Sequence, residues 1–509
     1  MADSRGSEVR MEPWDDHNRR LIASVHPPDW VNPEPAERYH LVVIGAGTGG
    51  LVTAAIAVSL GAKVALVERH LMGGDCLNVG CVPSKGIISA ARAWKTARDA
   101  HRDLGAPKGE GPGDFALAME RMRSLRADIG PVDGAERFRD LGVDVFLGEG
   151  RFVAGDVVEV GDRRLRFRRA VIATGARASA PPIPGLDTVR YRTNEDLFEL
   201  TELPRRFGVI GAGPIGCEMA QSFARFGSEV VLFDMADQVL PREDDDAAKV
   251  VQGALEKDGV DLRLGVKIEG LSPAGDGQEV AFSKDGKRDR VVVDELLVAV
   301  GRAPNVEGLG LEAAGVAYDR KGIQVDGRLR TTHRKIFAVG DVASKYQFTH
   351  TADAQARMVV RNAFFFGRGR SSDLVIPWCT YTSPEVAHVG LHPSEAEGLG
   401  LRVETMTVPM EDVDRARLDG EDEGFLRVHL EAGSDKILGA TLVAEHAGDM
   451  IGHLSFAMTH GLGLSKFSST IFPYPTQGEV FRKAGDQWNR RRLTPFAQRF
   501  FELWFRIFG

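Results

Sequence analysis

Cysteine is scarce in this chain: four in 509 residues, at Cys76, Cys81, Cys217 and Cys379. So few thiols exclude a disulfide framework, and the fold must stand on a packed core. Aromatic residues make up only 7%. No run approaches the ~20 uninterrupted apolar residues of a membrane-spanning helix. The opening MADSRGSEVRMEPWDDHNRR has neither the apolar centre nor the small-residue cleavage pattern of a secretory signal. The cytoplasm is therefore the expected location. Neither charge dominates: 64 basic residues against 72 acidic give a net charge of -8. That balance favours solubility and argues against nucleic-acid binding.

Glycine is abundant, at 58 residues, and much of it is patterned. The run LVVIGAGTGGL reads as an apolar strand, a glycine turn and the start of a helix, followed by a second strand, VALVERH. The arrangement returns in FGVIGAGPIGCEMAQSFARFG and EVVLFDM. Glu68 stands 23 positions after Gly45, and Asp234 stands 23 after Gly211. Two copies of one strand-helix-strand unit imply two nucleotide-binding domains. In each turn the first glycine (Gly45, Gly211) permits the bend and the second (Gly47, Gly213) admits a pyrophosphate. The third (Gly50, Gly216) lets the helix pack on its strand. The pyrophosphate then meets the positive end of a helix. Glu68 and Asp234 are placed to hydrogen-bond ribose hydroxyls. A carboxylate at Asp234 would repel a 2'-phosphate, so NADH is expected over NADPH, with Arg242 near enough in sequence to soften the preference.

Composition divides the remainder. Residues 1–37 are polar with several prolines and read as an extension lying over or beside the first domain. Segments 38–195, 196–304 and 305–372 carry the nucleotide units and further glycine-ended strands such as LLVAVGRAPN and KIFAVGDVA. Residues 373–485 alternate strands with a long helical pattern and form a third domain. In 486–509, Thr494 and Pro495 open a helix on which Phe496, Phe500, Trp504 and Phe508 recur every four residues. Arg490, Arg491, Arg492, Arg499 and Arg506 add positive charge, and such a helix suits a membrane interface or a packed protein face.

The segment GGDCLNVGCVPSK sets four residues between Cys76 and Cys81. Pro83 is tolerated in the first turn of a helix starting near Cys81. A thiol there gains thiolate character from the helix dipole, as a redox thiol requires. A zinc site would need two more ligands at recognisable spacing, so no metal ligand is assigned. Cys217 and Cys379 lie in apolar runs and read as core residues.

These motifs, with VIATGA and FPYPTQGE, make the chain resemble the flavoprotein disulfide reductases, which include dihydrolipoamide dehydrogenase, glutathione reductase and mercuric reductase. The resemblance spans residues 38 to 485. It implies an α/β fold of two Rossmann-like nucleotide-binding domains plus an α+β C-terminal dimerisation domain, and a homodimer. The FAD domain would comprise 38–195 and 305–372, and the NAD(P) domain 196–304. Gly45, Gly47, Gly50 and Glu68 would bind the adenine half of FAD, Asp341 its ribityl chain, and Gly211, Gly213, Gly216 and Asp234 the NADH. Gly74, Thr174, Gly175 and Gly301 would also lie against the cofactors. Cys81 would face the flavin and Cys76 would meet the substrate, a small-molecule disulfide or a metal-thiolate. Lys85 and Glu218 would pair near the flavin.

Disulfide-reducing members carry a His-Pro-Thr-x-x-Glu motif whose histidine serves the exchanging thiol. Here it reads Tyr474-Pro475-Thr476-Gln477-Gly478-Glu479. A phenol is a poor base at neutral pH, which speaks against ordinary lipoamide or glutathione turnover. His446, His453 and His460 are alternative bases in the same domain. Mercuric reductases carry a tyrosine at this place, but no cysteine follows Cys379 to form their C-terminal pair, and none precedes Cys76.

Overall fold

The computed structural model describes residues 9–107, 113–365, 367–491 and 493–508. The chain gathers into two compact units. The first holds residues 1–212, 222–235 and 261–374; the second holds 213–221, 236–260 and 375–509.

The first unit is built on parallel strands. Tyr39–Ile44 pairs with Val64–Glu68 on one side and Arg163–Ile172 on the other, with Leu41 opposite Val64 and Arg169. Asp144–Leu147 adds beyond Val64–Glu68, and Ile336–Ala338 adds in parallel along Arg163–Ile172. The late segment thus returns to complete the first sheet. All of Val64–Glu68 is buried, as expected for a parallel strand covered on both faces. A second parallel sheet runs in the order Asp261–Arg263, Glu229–Phe233, Arg206–Ile210, Glu295–Val298. The repeated glycine motif therefore starts two separate sheets. The mixed α/β architecture expected from the repeat is present.

The N-terminal extension does more than lie beside this unit. Helix Asp16–Val25 starts at Asp15, whose side chain accepts from the Asn18 amide. It buries Leu21, Ile22 and Val25 in the same core as Leu41, Val43 and Leu66. Buried Arg126 donates to Asn18 Oδ1 at 2.7 Å and to the Asn78 carbonyl at 2.6 Å. One guanidinium therefore ties the extension to the segment between the redox cysteines.

The second unit centres on an antiparallel sheet ordered Pro377–Thr380, Glu385–Gly390, Ile437–Ala444, Phe425–Glu431, Val403–Pro409. The middle strand, Ile437–Ala444, is buried along its whole length. Helices Gly452–Thr459 and Glu479–Arg490 contribute Leu454, Val480 and Phe481 to its core. The last helix, Pro495–Phe508, begins after Thr494, which accepts from the Ala497 amide. It buries no residue, and Phe496, Phe500, Trp504 and Phe508 are all exposed. Arg492 lies outside the described residues. Among the described residues no helix is long and apolar enough to cross a membrane.

Candidate active site

The first glycine turn is closed by backbone contact. Gly45 adopts φ +98°, and a Cβ there would lie 2.4 Å from the Ala173 carbonyl oxygen. A Cβ on Gly50 would lie 1.8 Å from the Gly45 carbonyl oxygen. A Cβ on Gly47, by contrast, would touch only the Gly74 Cα, at 3.7 Å. This is the division of labour the motif needs, tight on the protein side and open to a ligand. Glu68 locks the turn, accepting from the Ala46 amide at 2.6 Å and the His70 amide at 2.8 Å. Burial pushes the Glu68 carboxyl upward, and these two amides oppose the shift. The sequence expectation put this acid on a ribose. Here it also orders the turn, and a carboxylate has acceptor capacity for both tasks.

The second turn repeats the device. Gly211 has φ +109° and packs against the Ala299 carbonyl. Asp234 accepts from the Ala212 amide at 2.6 Å. Gly213 faces open space, and Gly216 is buried on helix Pro214–Phe226. Both turns therefore have the shape that admits a dinucleotide pyrophosphate.

The cysteine segment is built directly on the first turn. The Gly73 amide donates to the Ala46 carbonyl at 2.8 Å. A Cβ on Gly74 (φ +58°) would lie 2.7 Å from the Gly47 Cα. From there the short helix Gly74–Asn78 carries Cys76, and helix Cys81–Asp103 begins at Cys81 itself, with Pro83 in its first turn. Cys76 is half-buried and Cys81 exposed. Cys81 Sγ lies 3.5 Å from Thr349 Oγ1. Its hydrogen bond with Cys76, followed by burial, raises the Cys76 thiol well above the ordinary range. Cys76 thus keeps its proton at neutral pH. Lys85 stands one turn beyond Cys81 on the same helix. Glu218 belongs to the second unit, where it accepts from the Tyr381 amide at 2.9 Å.

Behind the thiols lies a charged group that motif reading passed over. Arg302 donates to Asp75, to the Ala176 carbonyl at 2.7 Å, and pairs with Asp341 at 3.5 Å. Burial lifts the Asp341 carboxyl to about 6, with Arg302 opposing and Asp75 adding to the shift. The signal was available, since Arg302 sits inside the VGRAPN motif. Thr349, at the start of helix Thr349–Phe364, carried none. Thr174 and Gly175 are clamped by Asn305, through Thr174 Oγ1 to the Asn305 carbonyl at 2.8 Å and the Asn305 amide to the Gly175 carbonyl at 3.0 Å. Gly301 adopts φ +136°, and its carbonyl accepts from the Ser179 amide.

In the second unit the Tyr474 hydroxyl donates to Asp414 Oδ2 at 3.0 Å. That bond raises the phenol further above its ordinary value. Tyr474 is thus a settled donor. Glu479 pairs with Arg482, and its Oε2 has no hydrogen-bond partner among the described residues. His453 stacks on Phe481 with ring centres 5.1 Å apart and holds the Met450 carbonyl at 2.9 Å. Cys217 is buried and Cys379 half-buried.

Two nucleotide turns in one chain, with a dithiol seated on the first, define a pyridine-nucleotide-linked redox protein. Residues 39–356 match the pyridine nucleotide-disulphide oxidoreductase family, and residues 376–485 match its dimerisation domain. The chain belongs to this family of flavoprotein oxidoreductases. It is 35% identical over 455 residues to a mercuric reductase of Bacillus cereus, covering 89% of this chain and 72% of that protein. It is 34% identical over 473 residues to a dihydrolipoyl dehydrogenase of Thermus scotoductus, covering 89% and 98%. Among solved structures it resembles the Cu(II) complex of the HOCl-induced flavoprotein disulfide reductase RclA from Escherichia coli. The TM-score is 0.78 at 30% identity, covering 87% of this chain and 98% of the other.

The Cys76 proton has a measurable consequence. In the reduced, FAD-loaded protein, iodoacetamide should modify Cys76 slowly at pH 7, with a rate that still climbs past pH 9. Cys81→Ser removes the leading cause of the upward shift and should speed Cys76 modification at pH 8 by about tenfold or more. Peptide mapping reads the rate, and equal rates in the two proteins would contradict this account.

Proposed function

We propose that this enzyme passes two electrons from a nicotinamide coenzyme, by way of FAD and the Cys76–Cys81 pair, to a soft metal ion delivered as a thiolate complex. Bound FAD supplies the relay between hydride donor and dithiol. The carrying observation is the Tyr474–Asp414 hydrogen bond, found where disulfide-reducing relatives place a base.

The proton balance gives that bond its weight. Reducing a disulfide consumes the coenzyme hydride and one proton and yields two thiols. Each leaving sulfur must be protonated, and the attacking thiol must first lose its proton. A histidine near pKa 6.5 can do both; a phenol raised by a carboxylate does neither at pH 7. Reducing a divalent soft metal held as a bis-thiolate complex takes the same hydride and one proton and frees two thiols. In each ligand exchange, however, the proton leaving the incoming thiol is taken up by the departing thiolate, so no positioned base has to hold it. The thiolates need only bind the ion, which their softness favours. Cys76 then loses its proton to the metal's own attraction, since a coordinating thiol is deprotonated outright. In the homodimer this family forms, the C-terminal unit of one protomer would complete the other's site and bring Tyr474 to the acceptor.

The test is coenzyme oxidation by the FAD-loaded protein with Hg(II) in excess thiol, set beside lipoamide and glutathione disulfide. Mercury-dependent turnover above the oxygen background is expected, with weak disulfide turnover. Tyr474→His should raise disulfide turnover by about tenfold or more. Disulfide turnover in the unaltered protein that exceeds mercury turnover would hand the site to the dihydrolipoamide dehydrogenase-like alternative.

Coenzyme choice is the second expectation. Asp234 stands beside the turn that would hold the ribose, and a carboxylate there would repel an added 2'-phosphate. The ratio of kcat/KM should favour NADH over NADPH, and the reverse ratio would reassign the role of Asp234.

A further reading concerns where the enzyme works. On helix Pro495–Phe508 the polar residues Gln498, Arg499, Glu502 and Arg506 fall on one stripe, and the other positions are almost all apolar and exposed. That pattern suits a helix lying in an anionic membrane surface, arginines at the headgroups and aromatic rings below. Vesicles of mixed neutral and anionic phospholipid should float the full chain, and truncation after residue 492 should abolish flotation. Equal flotation of the two forms would remove the reading.

A further inference from the structure

The second unit contains a cluster in which three buried side-chain atoms able to bind a metal meet without a hydrogen-bond partner among the described residues. Glu243 precedes helix Asp245–Lys257. His388 lies on strand Glu385–Gly390, and His392 caps helix Pro393–Gly398. One ligand atom from each lies within 4.8 Å of the others. The two imidazoles stack with centres 3.9 Å apart, and Trp378 stacks on His388 at 4.5 Å.

The neighbours fix where the protons sit. The Thr441 hydroxyl donates to Asp244 Oδ2 at 3.3 Å. Its oxygen is therefore free to accept from His388 Nδ1, 2.9 Å away. With the proton on Nδ1, His388 Nε2 carries a lone pair. His388 is fully buried, where the neutral ring is the favoured form. His392 Nδ1 faces Asp244 Oδ1 at 3.3 Å, and in the neutral ring this turns a second Nε2 lone pair away from Asp244. Trp378 Nε1 donates to Glu243 Oε1 at 2.7 Å, which leaves Oε2. Glu243 Oε2, His388 Nε2 and His392 Nε2 are all buried with no hydrogen-bond partner among the described residues. An acceptor buried without a partner is costly, a carboxylate oxygen most of all.

We infer that Glu243, His388 and His392 form a binding site for one divalent transition-metal cation of the zinc class. Two imidazole nitrogens and a carboxylate oxygen are a common ligand set for such ions. The outer partners are of the kind that orient metal ligands: Asp244 on His392, Thr441 on His388 and Trp378 on Glu243. Ligands around one tetrahedral zinc lie roughly 3.3 Å apart given ~2.0–2.1 Å bonds, so loading draws the three atoms inward. Three protein ligands leave the fourth position for water. The site joins the segment before helix Asp245–Lys257 to the five-stranded sheet. The rival is a proton in place of the metal, with a charged His392 donating to Glu243; its raised pKa, set against burial by Asp244, makes that form available.

The experiment uses the full FAD-loaded chain carrying Cys76→Ser and Cys81→Ser, so that the redox thiols hold no metal. After equilibrium dialysis against Zn(II), one zinc per chain is expected by elemental analysis. Its unfolding temperature should rise with Zn(II) and level off at one equivalent. Glu243→Gln and His392→Gln, with flavin content confirming the fold, should each weaken zinc binding at least tenfold. Asp244→Asn, which leaves all three ligands in place and alters a partner that orients them, should weaken it by about 10–100-fold. No zinc above the level held by the Glu243→Gln/His392→Gln double variant would overturn the site. So would an unfolding temperature indifferent to Zn(II), which leaves the proton in possession.

Discussion

The close approach of backbone to backbone around Gly45, Gly47, Gly50 and Gly74 is the constraint on which the redox machinery depends. Gly50 lets the helix sit against the Gly45 carbonyl, and the Gly47–Gly74 contact sets the cysteine segment on the same turn. A Cβ on Gly50 or on Gly74 would collide with backbone. The electron-carrying thiols and the expected flavin pyrophosphate therefore share one rigid support. The Glu68 carboxylate holds that support through the Ala46 amide at a cost in burial that two amide hydrogen bonds offset. The Asp234–Ala212 bond shows that the second sheet solved the same problem in the same way.

A second constraint binds the thiols from behind. Arg126 reaches the Asn78 carbonyl between the cysteines while holding Asn18 of the N-terminal helix. Arg302 spans Asp75 and Asp341. Buried cations of this kind are satisfied only when several chain segments are in place together. The position of Cys76 is thus set jointly by the extension, the first glycine turn and the late strands. A polar N-terminal segment that reads as an appendage is in this sense part of the core.

The two nucleotide folds were legible because their signal is local. Strand, glycine turn, helix and terminal acid fall within one short window, and their repeat at equal spacing leaves little freedom. The cysteine helix was legible for the same reason, from Pro83 and the thiol spacing. What escaped is what the tertiary fold alone assembles. Thr349 meets Cys81 across 268 residues of chain, and Asp414 meets Tyr474 across 60. Leu21 and Ile22 gave a helical face but no indication of which core it would join. The histidines are the sharpest instance. His446, His453 and His460 drew notice as possible bases, whereas His388 and His392 passed unremarked because their partner, Glu243, lies far away in sequence.

The treatment of protons joins these observations. An enzyme that exchanges disulfides must shuttle protons at its outer thiol, and the family assigns that work to a histidine. Here the corresponding side chain is a phenol fixed as a donor to Asp414, while Cys76 holds its proton more firmly than a free thiol. Under the proposed function a cation acceptor eases the difficulty, because binding it displaces the thiol proton and the departing ligand thiolate takes that proton up. The buried histidines of the second unit follow the same logic: Asp244 and Thr441 turn His392 and His388 into lone-pair donors. Under the proposed function and the inferred metal site, both places use their residues for coordination of a metal rather than transfer of a proton.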